Sequence, residues 1–185
     1  MQSHQQTKYL VVLSMITVLS YLSLILIRIP LTPIAPFLKY DMKDVLITIG
    51  GFLCGPISVL VTSFTTSFLQ MITISETGPI GLLMNSLSTI CFACTASIIY
   101  KIRKNLLCEI VGLLSGCGIM TLAMLVWNYW IVPFYTGASR ESIIAMLIPI
   151  FLPFNLAKGL LNALIIIMLY KPICSALHKL NINIS

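Results

Sequence analysis

The chain predicts an all-α integral membrane protein with six transmembrane helices, and three observations carry that reading. Hydrophobic residues make up 58% of the 185 residues and charged ones only 9%, where a soluble domain holds roughly 45–50% apolar residues. The apolar runs are continuous, whereas the strands of a membrane barrel alternate over about ten residues, so the backbone is satisfied inside helices. No stretch between the runs is long enough to bury a core of its own, which leaves one membrane domain over 1–185.

The first span is expected over 9–27, enough to cross a hydrocarbon layer that takes about 20 residues. The polar start and the lack of a small-residue cleavage site mark it as a retained helix rather than a signal peptide. Pro30, Pro33 and Pro36 then forbid a regular helix. Leu31, Ile34, Phe37, Leu38 and Tyr40 are too apolar for a solvated linker, so the loop 28–41 is expected to fold back as a lid. Asp41 or Asp44 is placed to cap a short second helix over 43–54, which Gly55-Pro56 ends. Such a helix spans a bilayer only if it begins below the surface, and broken elements are tolerated at depth where they line a cavity.

The third helix, 57–74, carries Ser58, Thr62, Ser63, Thr65, Thr66, Ser67 and Gln70, hydroxyl-rich and suited equally to close packing or to lining a site. The fourth, 80–100, sets Gly81, Asn85, Ser88 and Thr89 on one face. The fifth, 109–131, offers Gly112 and Gly116 for close helix contact and ends in Trp127-Asn-Tyr-Trp130. Tryptophan and tyrosine suit a membrane-interface belt, a role that Asn128 fits less easily. A loop over 132–142 leads to the sixth helix, 147–170.

That last helix holds the residues around which the function is read. Asn155, Lys158 and Asn162 fall within an arc of roughly 60° at 100° per residue, so an otherwise apolar helix carries one polar stripe. A lysine at membrane depth costs about 2.5–3.5 kcal/mol unless it meets a partner, a cavity or the interface. Snorkelling to the nearer surface is the alternative, but two asparagines on the same face favour a polar pocket. In that reading Asn85, Asn128, Asn155 and Lys158 donate to a ligand that Tyr40 or Trp127 stacks against, and Glu76 either accepts from a ligand hydroxyl or balances Lys158. Replacing Lys158 by methionine is then expected to weaken binding and to spare the fold.

Six spans put both ends on one side. That side collects Lys8, Lys101, Arg103, Lys104, Lys171 and Lys179, against Arg28, Lys39, Lys43 and Arg140 opposite, so both termini are expected in the cytoplasm. The net charge of +6 is scattered over helix ends and reflects membrane orientation rather than nucleic-acid binding. Cys91 and Cys94 have CxxC spacing, but in a helical run without further ligands they read as packing residues. No Gly-Lys dipeptide occurs, which excludes a phosphate-binding loop. The acids Asp41, Asp44, Glu76, Glu109 and Glu141 all fall at helix ends, leaving no proton relay across the bilayer. No metal, cofactor or catalytic constellation is present in the pattern.

Several segments, in order and with matching spacing, resemble one family: Leu38-Lys-Tyr-Asp-Met-Lys-Asp44, Ile49-Gly-Gly-Phe-Leu-Cys-Gly-Pro56, Glu76-Thr-Gly-Pro-Ile-Gly-Leu-Leu-Met-Asn85, Trp127-Asn-Tyr129 and Pro153-Phe-Asn-Leu-Ala-Lys-Gly159. They look like the riboflavin-binding S component of energy-coupling factor (ECF) vitamin transporters. The resemblance implies a plasma-membrane subunit that binds riboflavin as transported ligand and works with a membrane scaffold subunit and two ATPases. It places the ligand among Leu38, Lys39, Tyr40, Asp41, Glu76, Thr77, Gly78, Asn85, Trp127, Asn128, Asn155, Lys158 and Asn162. It also puts the small-residue face that meets the scaffold at Ser14 and Val18, where valine is larger than the expected alanine. An S component for another vitamin or a flavin nucleotide, a membrane enzyme acting on a lipid head group, and a structural assembly subunit are the competing readings.

Overall fold

The computed structural model describes residues 2–30, 38–74, 78–137 and 139–179. Helix α1 covers Gln2–Leu26, α2 Lys43–Cys54, α3 Pro56–Thr73, α4 Gly78–Ile102 and α5 Leu106–Thr136. Then α6, Arg140–Met146, passes through a π-helical turn, Leu147–Phe151, into α7, Leu152–Lys179, so that the three pieces form one continuous last span. Five stretches are long and apolar enough to cross a membrane: Gln6–Leu26, Pro56–Thr73, Gly78–Ile102, Leu106–Phe134 and Arg140–Ala176. The sixth crossing is made by α2.

At about 1.5 Å per residue, the 12 residues of α2 cover less than a bilayer. It succeeds because it lies inside the bundle rather than against lipid. Lys43, Asp44, Val45, Ile47, Thr48, Ile49, Gly50, Gly51 and Phe52 are all buried, and α2 touches α1, α3, α4 and α7. Two adjacent glycines permit this. A Cβ on Gly50 would lie 3.0 Å from Ile16 Cγ2, and one on Gly51 would collide with Ser97 Oγ.

Helices α2, α4 and α7 run in the same direction, as their pairings at both ends show. Asp44 of α2 meets Thr89 of α4 and Lys158 of α7 near one end. At the other, Phe52 packs on Tyr100 and Tyr170, with ring centroids 4.5 and 5.2 Å away. There the Tyr170 hydroxyl donates to that of Tyr100 at 3.0 Å. Between the two levels lies the main apolar core, in which Val45, Ile47, Phe92, Leu113, Met120 and Ile166 are wholly enclosed.

The expected close contact of α4 and α5 is present. A Cβ on Gly112 would sit 2.9 Å from the Ala96 carbonyl oxygen, and one on Gly116 would sit 2.5 Å from that of Phe92. Most hydroxyls of α3 are packing residues, since Ser58, Thr62, Ser63, Thr66 and Ser67 are buried, whereas Thr65 is exposed and only Gln70 of this helix reaches the cavity described below. Cys94 lies in the same kind of contact, its Sγ 3.6 Å from the Pro56 carbonyl oxygen.

Several boundaries differ from the expectation. The segment 28–41 carries a small antiparallel ribbon, β1 (Arg28–Pro30) with β2 (Lys39–Asp41), in the register Arg28↔Asp41, Ile29↔Tyr40 and Pro30↔Lys39. Residues 31–37 lie outside the described residues. Much of the loop expected over 132–142 is helical. Pro133 falls in the last turn of α5, where its missing N–H costs one bond, and Gly137 closes the helix with a left-handed φ of 68°. Ser139 then starts α6 by accepting from the Ser142 N–H at 3.3 Å, so the last span begins at Arg140 rather than 147. Pro149 and Pro153, four apart, each remove a donor from this helix; Pro149 lies at the centre of the π-helical turn and Pro153 two residues beyond it.

Candidate binding site

One cavity of about 490 Å3 opens at the Asp44 end of the bundle. Its walls come from the ribbon, α3, α4, α5 and the last span, with α2 behind them. The ribbon supplies Arg28, Leu38, Lys39 and Asp41, and α3 supplies Gln70. From α4 come Gly81, Met84, Asn85 and Ser88, from α5 Met124, Trp127 and Asn128, and from the last span Phe151, Phe154, Asn155 and Lys158. Val132 and Thr136 also line it, which the unexpected extension of α5 makes possible. A large, mostly apolar wall with a few polar groups is the usual build of a small-molecule site.

The π-helical turn matters to this wall. It gathers Phe151 and Phe154 with Leu38 into a small apolar cluster separate from the main core. The Asn155 Nδ2 donates to the Phe151 carbonyl at 2.7 Å, which holds the amide at the cavity edge. Across the cavity Asn128 is buried too, and the Trp127 indole nitrogen has no hydrogen-bond partner.

Lys158 does not snorkel. It is 5% exposed, and its Nζ lies 3.0 Å from Asp44 Oδ2 and 3.7 Å from Asp41 Oδ2. Asp44 is 0% exposed, and its other oxygen, Oδ1, accepts from Thr89 Oγ1 at 2.6 Å. Beside it Lys43, 1% exposed, donates to Gln70 Oε1 at 3.4 Å. Two cations and two carboxylates thus form one buried cluster, with Lys158, Asp41 and Gln70 on the cavity wall and Asp44 behind them.

This cluster corrects three expectations. Asp44 does not cap α2: the cap position is Met42, without a side-chain bond, while Asp41 Oδ1 takes the Lys43 N–H at 3.3 Å. A carboxylate at a helix end reads as exposed, but α2 starts inside the protein and turns Asp44 inward. Lys43, counted above among the outer-side cations, is buried for the same reason. Finally, Lys158→Met does more than remove a buried charge. It strands Asp44 without its nearest cation, so a loss of stability is expected where none was before.

The other expected site residues divide. Leu38, Lys39, Asp41, Asn85, Trp127, Asn128, Asn155 and Lys158 line the cavity. Tyr40 and Asn162 are buried off its wall, and Gly78 starts α4 with a φ of 56° without lining it. Burial pushes the Tyr40 phenol up to about 12, so it remains a neutral donor. Glu76 and Thr77 lie outside the described residues. On α1, Ser14 and Val18 are exposed, Ser14 Oγ donating to the Leu10 carbonyl at 2.8 Å. Gln70, one of the α3 residues expected either to pack or to line a site, lines it, whereas sequence reasoning gave Asp44 and Lys43 other roles and passed over Phe151 and Phe154. For Asp44 and Lys43 the available signal was their position in a helix too short to reach water at both ends.

A bundle of this shape, with a cavity at one end and a short helix through its centre, is that of a membrane solute-binding component. The model of the family described as ECF transporter, substrate-specific component matches residues 8–170, and the chain belongs to that family. It is 27% identical over 182 residues to the riboflavin transporter RibU of Staphylococcus aureus, covering 95% of each chain. To RibU of Streptococcus thermophilus it is 30% identical over 180 residues, 91% of this chain and 85% of the relative. The solved structure of the S component of a bacterial ECF transporter superposes with a TM-score of 0.81 at 28% identity, over 93% of this chain and 98% of that one.

Proposed function

We propose that this chain captures riboflavin at the outer face of the plasma membrane as the substrate-specific component of an ATP-driven ECF transporter. The convergence of Asn85, Asn128, Asn155 and Lys158 on one cavity of about 490 Å3 carries the reading. These side chains supply amide and ammonium donors for the carbonyl oxygens and ring nitrogen of a flat heterocycle. Trp127, Phe151 and Phe154 supply the aromatic wall for its faces. Relatives that align over nearly the whole chain bear the name of riboflavin transporters.

The ribbon β1–β2 brings Arg28, Lys39 and Asp41 to the cavity, which supports reading the segment 28–41 as the lid. Both termini lie in the cytoplasm. The chain binds and delivers its solute without transforming it, and the energy comes from two ATPase subunits through a membrane scaffold that docks on the α1 face around Ser14 and Val18. Purified protein in detergent should quench riboflavin fluorescence stoichiometrically, and titration to micromolar protein without quenching overturns the assignment. In vesicles, the chain alone should not concentrate riboflavin. Accumulation driven by ATP without other subunits contradicts the division of labour.

A further inference from the structure

Asp44 has no place on the cavity wall, yet everything around it is arranged for its charge. Its carboxylate is 0% exposed, held on one oxygen by Thr89 Oγ1 at 2.6 Å and on the other by Lys158 Nζ at 3.0 Å. Thr89 Oγ1 also lies 2.9 Å from the Asn85 carbonyl oxygen, a second acceptor that shares its single proton, so one hydroxyl sits between Asp44 and the α4 turn that presents Asn85 to the cavity. A buried carboxylate is retained at considerable cost. An amide at position 44 would have one acceptor oxygen where the carboxylate has two, so it would turn an N–H toward either Thr89 or Lys158. It would also lack the charge.

That charge has a counterpart in the cavity. Lys158 reaches the wall with an ammonium in a low-dielectric surrounding, where an uncompensated cation attracts any anion strongly. Asp44 and Asp41 balance Lys158 and Lys43, leaving this side of the cavity rich in N–H donors and close to neutral, while Arg28 and Lys39 line the cavity from the ribbon. We propose that Asp44 is a positioning and specificity-determining residue: through Lys158 it aims a donor at a neutral ring, and by neutralising the ammonium it holds down the affinity for phosphorylated forms of the same ligand. The inference rests on the riboflavin reading above.

The experiment compares riboflavin with riboflavin 5′-phosphate by fluorescence titration of the full chain in detergent, for the parent, Asp44→Asn, Lys158→Met and the double variant. A phosphate monoester carries about −1.5 to −2 charges at neutral pH. Asp44→Asn should weaken riboflavin binding about tenfold while shifting the riboflavin-to-phosphate affinity ratio about tenfold toward the phosphate. A purely structural role would weaken both ligands alike. Because Asp44 acts through Lys158, the double variant should bind riboflavin no worse than Lys158→Met alone. Equal weakening of both ligands, or additive losses in the double variant, overturns the inference. If Asp44→Asn does not fold, Thr89→Val releases the carboxylate at unchanged charge and should lower riboflavin affinity severalfold. Unchanged affinity in Thr89→Val overturns it as well. A parent protein that binds no riboflavin overturns the underlying assignment together with the inference, whereas a binding parent with an unshifted ratio overturns the inference alone.

Discussion

Lys158→Met offers the sharpest stability test, because the two sides of the ion pair are unequally placed. Methionine keeps most of the stem and leaves little cavity. What it removes is an ammonium 3.0 Å from Asp44 Oδ2 and 3.7 Å from Asp41 Oδ2. Asp41 lies on the cavity wall and gains a hydrated surface. Asp44 is 0% exposed and keeps only Thr89 and the more distant Lys43. Breaking a buried pair from one side costs about 3–5 kcal/mol. For a chain of this size, about 2–4 °C is lost per kcal/mol, so the variant should melt roughly 10 °C below the parent in the same detergent without ligand. Adding Asp44→Asn should recover most of that loss, since no lone charge is left. Thermal unfolding followed by far-ultraviolet circular dichroism or by size-exclusion after heating reads both. A single variant that melts with the parent, or a double variant no better than the single, refutes the claim that Asp44 depends on Lys158.

Asn128→Ala should leave the melting point near that of the parent and weaken riboflavin binding about tenfold, as expected for about 1.5 kcal/mol of lost hydrogen bonding; titration checks it. Trp127 lines the cavity whereas Trp130 is 51% exposed. Trp127→Phe should therefore abolish the tryptophan fluorescence change on ligand addition, and Trp130→Phe should preserve it. Gly116→Ala places a methyl 2.5 Å from the Phe92 carbonyl oxygen and should destabilise the α4–α5 contact by about 1–3 kcal/mol, seen as a lower melting temperature with ligand stoichiometry retained.

The spans were legible because lipid imposes long apolar runs, and the polar stripe Asn155–Lys158 was legible because nothing else explains it in such a run. The partner of Lys158 was not. Asp44 sits far away in sequence at a helix start, where carboxylates commonly cap, and only the burial of α2 between its neighbours reveals its role. Asn162 shows the opposite error. It shares the stripe but lies one turn deeper, below the cavity, at 0% exposure with neither amide atom hydrogen-bonded. Helical periodicity gives direction without depth, so it could not separate a wall residue from a packed one. The end of α5 differs from the expectation because a proline reads as a stop, although Pro133 in the last turn removes only one bond and the helix continues to Thr136.

The aromatic triad of Phe52, Tyr100 and Tyr170 closes the bundle at the end away from the cavity, and the wholly enclosed core lies between. Together they floor the cavity among the described residues: a solute seated against Lys158 has close-packed helices and ring contacts beneath it, and the open side of its site faces the other way.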